Sequence, residues 1–98
     1  MEHTITRLVR EAARLSHLSL AALLSSRRDR DVARVRFAVM LVARELNYST
    51  PDIGRRLGGR DHTTVLYGVR QAVELLETED VMFAYLVTAL RKAAKDVL

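Results

Sequence analysis

Five consecutive polar side chains, Arg60, Asp61, His62, Thr63 and Thr64, follow the glycine pair Gly58-Gly59. Their chemistry is recognition by hydrogen bonds. A carboxylate accepts from the N4 amino group of cytosine, an imidazole N–H donates to guanine N7 or O6, and a threonine methyl packs on the thymine methyl. An arginine just ahead of a helix, and the free amides of the helix start, suit phosphate. The same residues have plainer uses: Asp61 as a helix cap, Thr64 as part of the capped turn, His62 as a surface histidine. Catalysis finds little support. His3, His17 and His62 show no metal-ligand spacing. Ser25, His62 and Asp61 form a triad only on paper, because an Asp and a His adjacent at a helix start do not orient each other for proton transfer. The chain has no cysteine, which excludes thiolate nucleophiles, thiolate metal sites and disulfides and points to a reducing compartment. No catalytic residue, metal ligand or cofactor site is expected.

A second group of residues leans the same way. Ser25-Ser26-Arg27-Arg28-Asp29-Arg30-Asp31 contains no apolar residue and reads as an exposed loop. Residues 27–70 carry ten arginines against five acids, and residues 71–80 carry four acids and no base. The whole chain has a formal charge of +4, and 14 of its 16 basic residues are arginine. Arginine presents a rigid fork that matches phosphates and guanine edges. A high-GC coding bias would also raise arginine over lysine, so the position of the charge says more than its identity. A positive block in the middle of a chain is the footprint of a polyanion partner. The plain alternative for Arg27, Arg28 and Arg30 is a solvated loop balanced by Asp29 and Asp31.

Helices must carry these groups. Apolar residues at three- and four-residue spacing predict a helix over Thr4 to His17. Ser19 is placed to cap a short helix, Leu20 to Leu24, and Asp31 to cap another, Val32 to Leu46, which holds the apolar run Phe37 to Ala43. Ser49-Thr50-Pro51-Asp52 is a helix start: a hydroxyl cap, a proline where its missing N–H costs nothing, and an acid favoured by the helix dipole. That helix ends at about Leu57, where Gly58-Gly59 can take the positive φ of a C-cap. Asp61 then caps a longer helix, His62 to Thr78, and Glu79-Asp80 opens an amphipathic last one. A short helix, a glycine turn and a longer helix with polar N-terminal residues have the outline of a helix-turn-helix, in which those N-terminal residues reach base edges.

Composition bounds the rest. Ninety-eight residues fit one domain, residues 1–98, and 49% hydrophobic content is enough to give it a core. One proline and four glycines are too few for the turns of an all-β chain. No apolar run exceeds seven residues, against roughly 20 for a bilayer span. The first residues show no secretory signal, and Arg7, Arg10 and Arg14 without an aromatic neighbour make a poor membrane-surface helix. The expectation is all-α: six helices in a single domain containing a helix-turn-helix, cytoplasmic, with no stable membrane association.

Gly58-Gly59-Arg60-Asp61-His62-Thr63-Thr64-Val65 resembles the signature of the DNA-binding C-terminal domain (domain IV) of DnaA, the bacterial chromosomal replication initiator. Ser49-Thr50-Pro51-Asp52-Ile53-Gly54 is similar to that family's Ser-x-Pro-Glu-Ile-Gly, and Leu24 to Arg36 resembles its basic loop and the start of the next helix. Ala43-Arg44-Glu45-Leu46 follows in register, and the similarity runs from about Ile5 to Ala94. The resemblance implies a Trp-repressor-like helix-turn-helix fold and sequence-specific binding to the DnaA box in double-stranded DNA, hence a nucleoid-associated place in the cytoplasm. It implies that Arg28, beside Arg27, enters the minor groove, that Asp61, His62 and Thr63 read the major groove, and that Arg36, Arg60 and Thr64 make phosphate or flanking contacts. The chain departs from the pattern at Phe37, where glutamine is usual, and at Val35, where proline is common. It also lacks one residue before Asn47-Tyr48 and has Tyr67-Gly68-Val69-Arg70 in place of His-Ala-Cys-Arg. Gly68 inside a helix costs about 1 kcal/mol relative to Ala and would admit a close neighbour. No P-loop is present. With the start at Met1, this favours a small stand-alone relative over an excised domain. The alternative is a protein-interaction regulator, with DNA binding weak or lost, that contacts the replication initiator, its regulatory ATPase or a second copy of itself through the acidic stretch Glu74 to Asp80 and the last helix.

Overall fold

The stretch from Val32 to Ala43 has apolar residues on nearly every side, so it can only be stable when surrounded, and it forms the axis of the fold. The computed structural model describes residues 2–97, with side chains for residues 2–96; Met1 and Leu98, the outer bounds of the domain expected above, lie outside the described residues. Among the described residues six helices follow in order: α1 (Thr4–Ser16), α2 (Leu20–Leu24), α3 (Arg30–Glu45), α4 (Thr50–Arg56), α5 (His62–Glu77) and α6 (Val81–Val97). Helix α3 is wrapped by α1, α5 and α6, with α2 and α4 touching it at the edges.

Each wrapping helix contributes one apolar stripe. In α1 it is Ile5, Leu8, Val9 and Ala12, and in α6 it is Phe83, Val87, Leu90 and Ala94, at spacings of four, three and four. In α5 the buried residues are Val65, Gly68 and Ala72. Ile53 and Leu57 at the α4 end, both fully buried, join the same core. Among the described residues no helix is long and apolar enough to cross a membrane.

The caps follow sequence logic with one correction. The Ser19, Ser49 and Asp61 side chains accept from the amides of Ala22, Asp52 and Thr64, as their spacing predicts. Asp80 accepts from the Phe83 amide at 3.0 Å, so it, rather than Glu79, starts α6. Asp31 does not cap α3. That helix begins two residues early, at Arg30, with Asp29 at the cap position, and Asp31 lies inside the first turn, where a carboxylate favours the dipole. Asp29 makes no side-chain cap bond; its carboxylate is engaged by Arg27. The shortened connection before Tyr48 closes with Asn47 at φ 71°.

Candidate nucleic-acid interface

The turn between α4 and α5 is built on the carbonyl of Gly54. It accepts from the amides of Leu57, Gly59 and Arg60, the last at 2.8 Å. The returning chain therefore passes directly over Gly54, and a Cβ there would fall 1.9 Å from the Arg60 carbonyl oxygen. Gly58 has φ +84°, and a Cβ on it would come within 2.3 Å of the Leu24 carbonyl. The turn is thus tight against α4 on one side and against the end of α2 on the other.

At the exposed start of α5, Asp61 Oδ1 accepts from the Thr64 amide at 2.9 Å and from Thr63 Oγ1 at 2.6 Å. These bonds hold its carboxyl down at about 2, the Thr63 hydroxyl contributing most. Asp61, His62, Thr63 and Thr64 are all exposed. Asp61 is therefore a cap, and because both bonds fall on one oxygen, Oδ2 keeps acceptor capacity.

Arg36 lies where the sequence did not put it. The resemblance implied a phosphate or flanking contact, but the side chain is buried at 4% exposure under the loop. Its Nε donates to the Leu23 carbonyl, Nη1 to Arg27, and Nη2 to Ala22 and Ser25. Four of the fork's five N–H groups are spent on carbonyls, and at this burial the side chain presents almost no surface to a phosphate. Burial, then the nearby Arg60 charge, pull its pKa down to about 10, so it stays charged near neutrality. Arg60 is half-buried and donates to the carbonyls of Leu57 and Ser25.

Arg60, Gly58 and Arg36 thus tie residues 24–27 to the helix-turn-helix. Within the tied loop the arginines differ. Arg27 makes a bidentate pair with Asp29, at 2.9 and 3.1 Å. Arg28 is exposed and has no ion pair or hydrogen-bonded partner among the described residues. Between the loop and α5 runs an open groove. Ser25, Ser26 and Arg28 form one wall, Thr64 and Tyr67 the other, and Arg36, Arg60, Phe37 and Met40 line it below. Of the expected site residues, Arg28, Arg60 and Thr64 border this groove, and Asp61, His62 and Thr63 cluster at the α5 tip beside it.

Three participants escaped sequence reasoning. The Ser25 carbonyl is a backbone atom with no side-chain signal. Gly54 stood at the end of the Ser49 to Gly54 motif with no role assigned to it. Tyr67 was noted only as a departure, although it lies three residues after Thr64 and so on the same helix face.

Comparison with known proteins agrees with this architecture. The family model described as bacterial dnaA protein helix-turn-helix matches residues 4–72. The chromosomal replication initiator proteins DnaA of two strains of Caulobacter vibrioides are each 61% identical over 61 residues, covering 61% of this chain and 12% of theirs. The chain spans about one eighth of the length of these curated relatives. The matched span contains the whole α4–α5 turn, the loop tied to it and the exposed start of α5, and the chain belongs to the bacterial DnaA helix-turn-helix family.

Proposed function

We propose that this domain binds double-stranded DNA sequence-specifically, at DnaA-box-like sites, and acts in the regulation of chromosomal replication initiation. The α5 N-terminus enters the major groove, where Asp61 Oδ2, His62 and Thr63 face base edges. Arg28 enters the adjacent minor groove, where an A·T-rich stretch gives the most negative potential. Arg60 and Thr64 face phosphates between them. Arg36 and Arg27 support this surface, Arg36 from beneath and Arg27 by its pair with Asp29. One observation carries the reading: the Ser25 carbonyl accepts from both Arg36 and Arg60, which fixes the arginine loop relative to the reading helix. Two reading elements held in one rigid relation suit a duplex of fixed groove spacing. No catalytic step is proposed, and the expected location is cytoplasmic, on the nucleoid. A polarisation titration at fixed salt tests it, with a DnaA-box duplex set against a scrambled one. Equal affinity for both rejects the reading.

A second reading has its own observation. Val81, Met82 and Tyr85 are 78%, 80% and 58% exposed at the start of α6, close in sequence to Glu77 and Glu79. That surface suits a protein partner such as the initiator or its regulatory ATPase. A pull-down that retains the partner after nuclease treatment supports it.

A further inference from the structure

The groove between the loop and α5 carries positive charge with no acid in its lining, and Asp29 acts on Arg36 only from outside it. Arg36 and Arg60 donate only to backbone carbonyls, and among the described residues neither forms an ion pair. Two guanidiniums that meet at one carbonyl repel each other, and an anion seated in the groove would relieve that repulsion.

The far wall of the groove ends in Tyr67, which is 51% exposed. Its ring stands edge-on to Phe37, with centroids 6.0 Å apart and planes at 77°. Phe37 and Met40 occupy the space a side chain at Gly68 would need: a Cβ there would lie 2.2 Å from Met40 Sδ and 3.1 Å from Phe37 Cδ1. Phe37, Tyr67 and Gly68, all departures noted in the sequence, therefore form one contact cluster. Its effect is to hold the Tyr67 ring at the groove edge while leaving half its surface in solvent.

Depth along α5 indicates what the phenol meets. Tyr67 lies five residues beyond His62, about 7.5 Å further along the axis. Base edges are reached by the first residues of such a helix, and Tyr67 lies behind them on the face it shares with Thr64, bordering the groove toward the arginine loop, where the backbone of the strand would pass. We propose that the Tyr67 hydroxyl donates a hydrogen bond to a phosphodiester oxygen of the strand lying between the two grooves. This assignment rests on the duplex-binding reading above.

Tyr67→Phe removes the hydroxyl and keeps the ring against Phe37. It is expected to weaken binding about tenfold on the DnaA-box duplex and equally on the scrambled one, because a backbone contact carries no sequence information. The salt slope is expected to stay unchanged, since a neutral donor releases no counterion. A scan of single methylphosphonate linkages gives the decisive readout. At one linkage the parent protein loses affinity while Tyr67→Phe loses no more. Parent-like affinity of Tyr67→Phe, or an equal extra loss at every linkage, overturns the assignment; if His62→Ala still abolishes box preference, the duplex-binding reading survives. If the parent shows no box preference, that reading fails, while a tenfold loss in Tyr67→Phe with the linkage effect still supports the backbone contact. No duplex binding at all overturns both.

Discussion

Arg36 and Arg60 share one acceptor: the Ser25 carbonyl oxygen takes an Nη2–H bond from each, at 2.7 Å and 2.5 Å. One residue comes from the axial helix and the other from the helix-turn-helix turn, so the loop between them has little freedom to move alone. The expectation is that Arg36 matters for stability first. Arg36→Met removes the donor to the Leu23 and Arg27 carbonyls and leaves Ser25 with Arg60 alone, at a cost of about 2–4 kcal/mol. Arg36→Lys recovers only part of this, because an ammonium cannot span four carbonyls. Urea unfolding without DNA reads the effect. A parent-like midpoint for Arg36→Met would show that the clamp adds nothing to stability.

The two loop arginines should separate in a binding assay. Arg28→Ala is expected to weaken binding to the box duplex by about 1–3 kcal/mol, as is His62→Ala. Arg27→Ala should cost less than half as much, since its guanidinium is engaged by Asp29. Polarisation titrations at one salt concentration give the ranking, and an Arg27 effect larger than that of Arg28 contradicts the assignment of the free arginine to the minor groove.

Most of the fold was legible because its signals are local. The six helices follow from apolar spacing and from caps such as Ser19, Ser49 and Asp61, each of which acts within three residues. Asp31 misled for a physical reason: an acid inside the first turn of a helix and an acid at its cap look alike in sequence, and only the extended backbone of Asp29 distinguishes them. At the interface, exposed polar residues at a helix start were readable and buried ones were not. Arg36 has the side chain of a phosphate ligand, and nothing local reveals that α2 and the loop fold over it. The Gly54 requirement is also non-local, since the atom that needs the space is a carbonyl six residues on.

Gly54→Ala is expected to be the most damaging glycine substitution in the turn. The added Cβ would lie 1.9 Å from the Arg60 carbonyl, a backbone atom held by the turn. Overpacking against backbone costs about 3 kcal/mol, or about 10 °C or more in Tm for a domain of this size. Gly59→Ala is the comparison. Nothing lies within 4 Å of its Cβ, and only its φ of +79° is unfavourable, at about 1–2 kcal/mol. Thermal unfolding of the pair decides, and a milder loss for Gly54→Ala would mean that the turn can open without harm.

The Asp61 cap sets an acid limit on helix α5. Its carboxyl titrates at about 2 in the folded chain, held there by the Thr63 hydroxyl and the Thr64 amide. A carboxyl whose folded pKa is depressed contributes stability in full above its unfolded value, near 4, and loses that contribution as pH falls toward 2. The first turn of α5 should therefore loosen between about pH 4 and pH 2, while the capped state persists unchanged at neutral pH. Asp61→Asn keeps a capping oxygen but has no carboxyl to protonate, so its Thr63 and Thr64 amide signals should not follow that transition. NMR titration of the two proteins provides the measurement. Identical acid shifts at Thr64 in both would exclude Asp61 as the titrating group, and with it the cap as the origin of the depressed value.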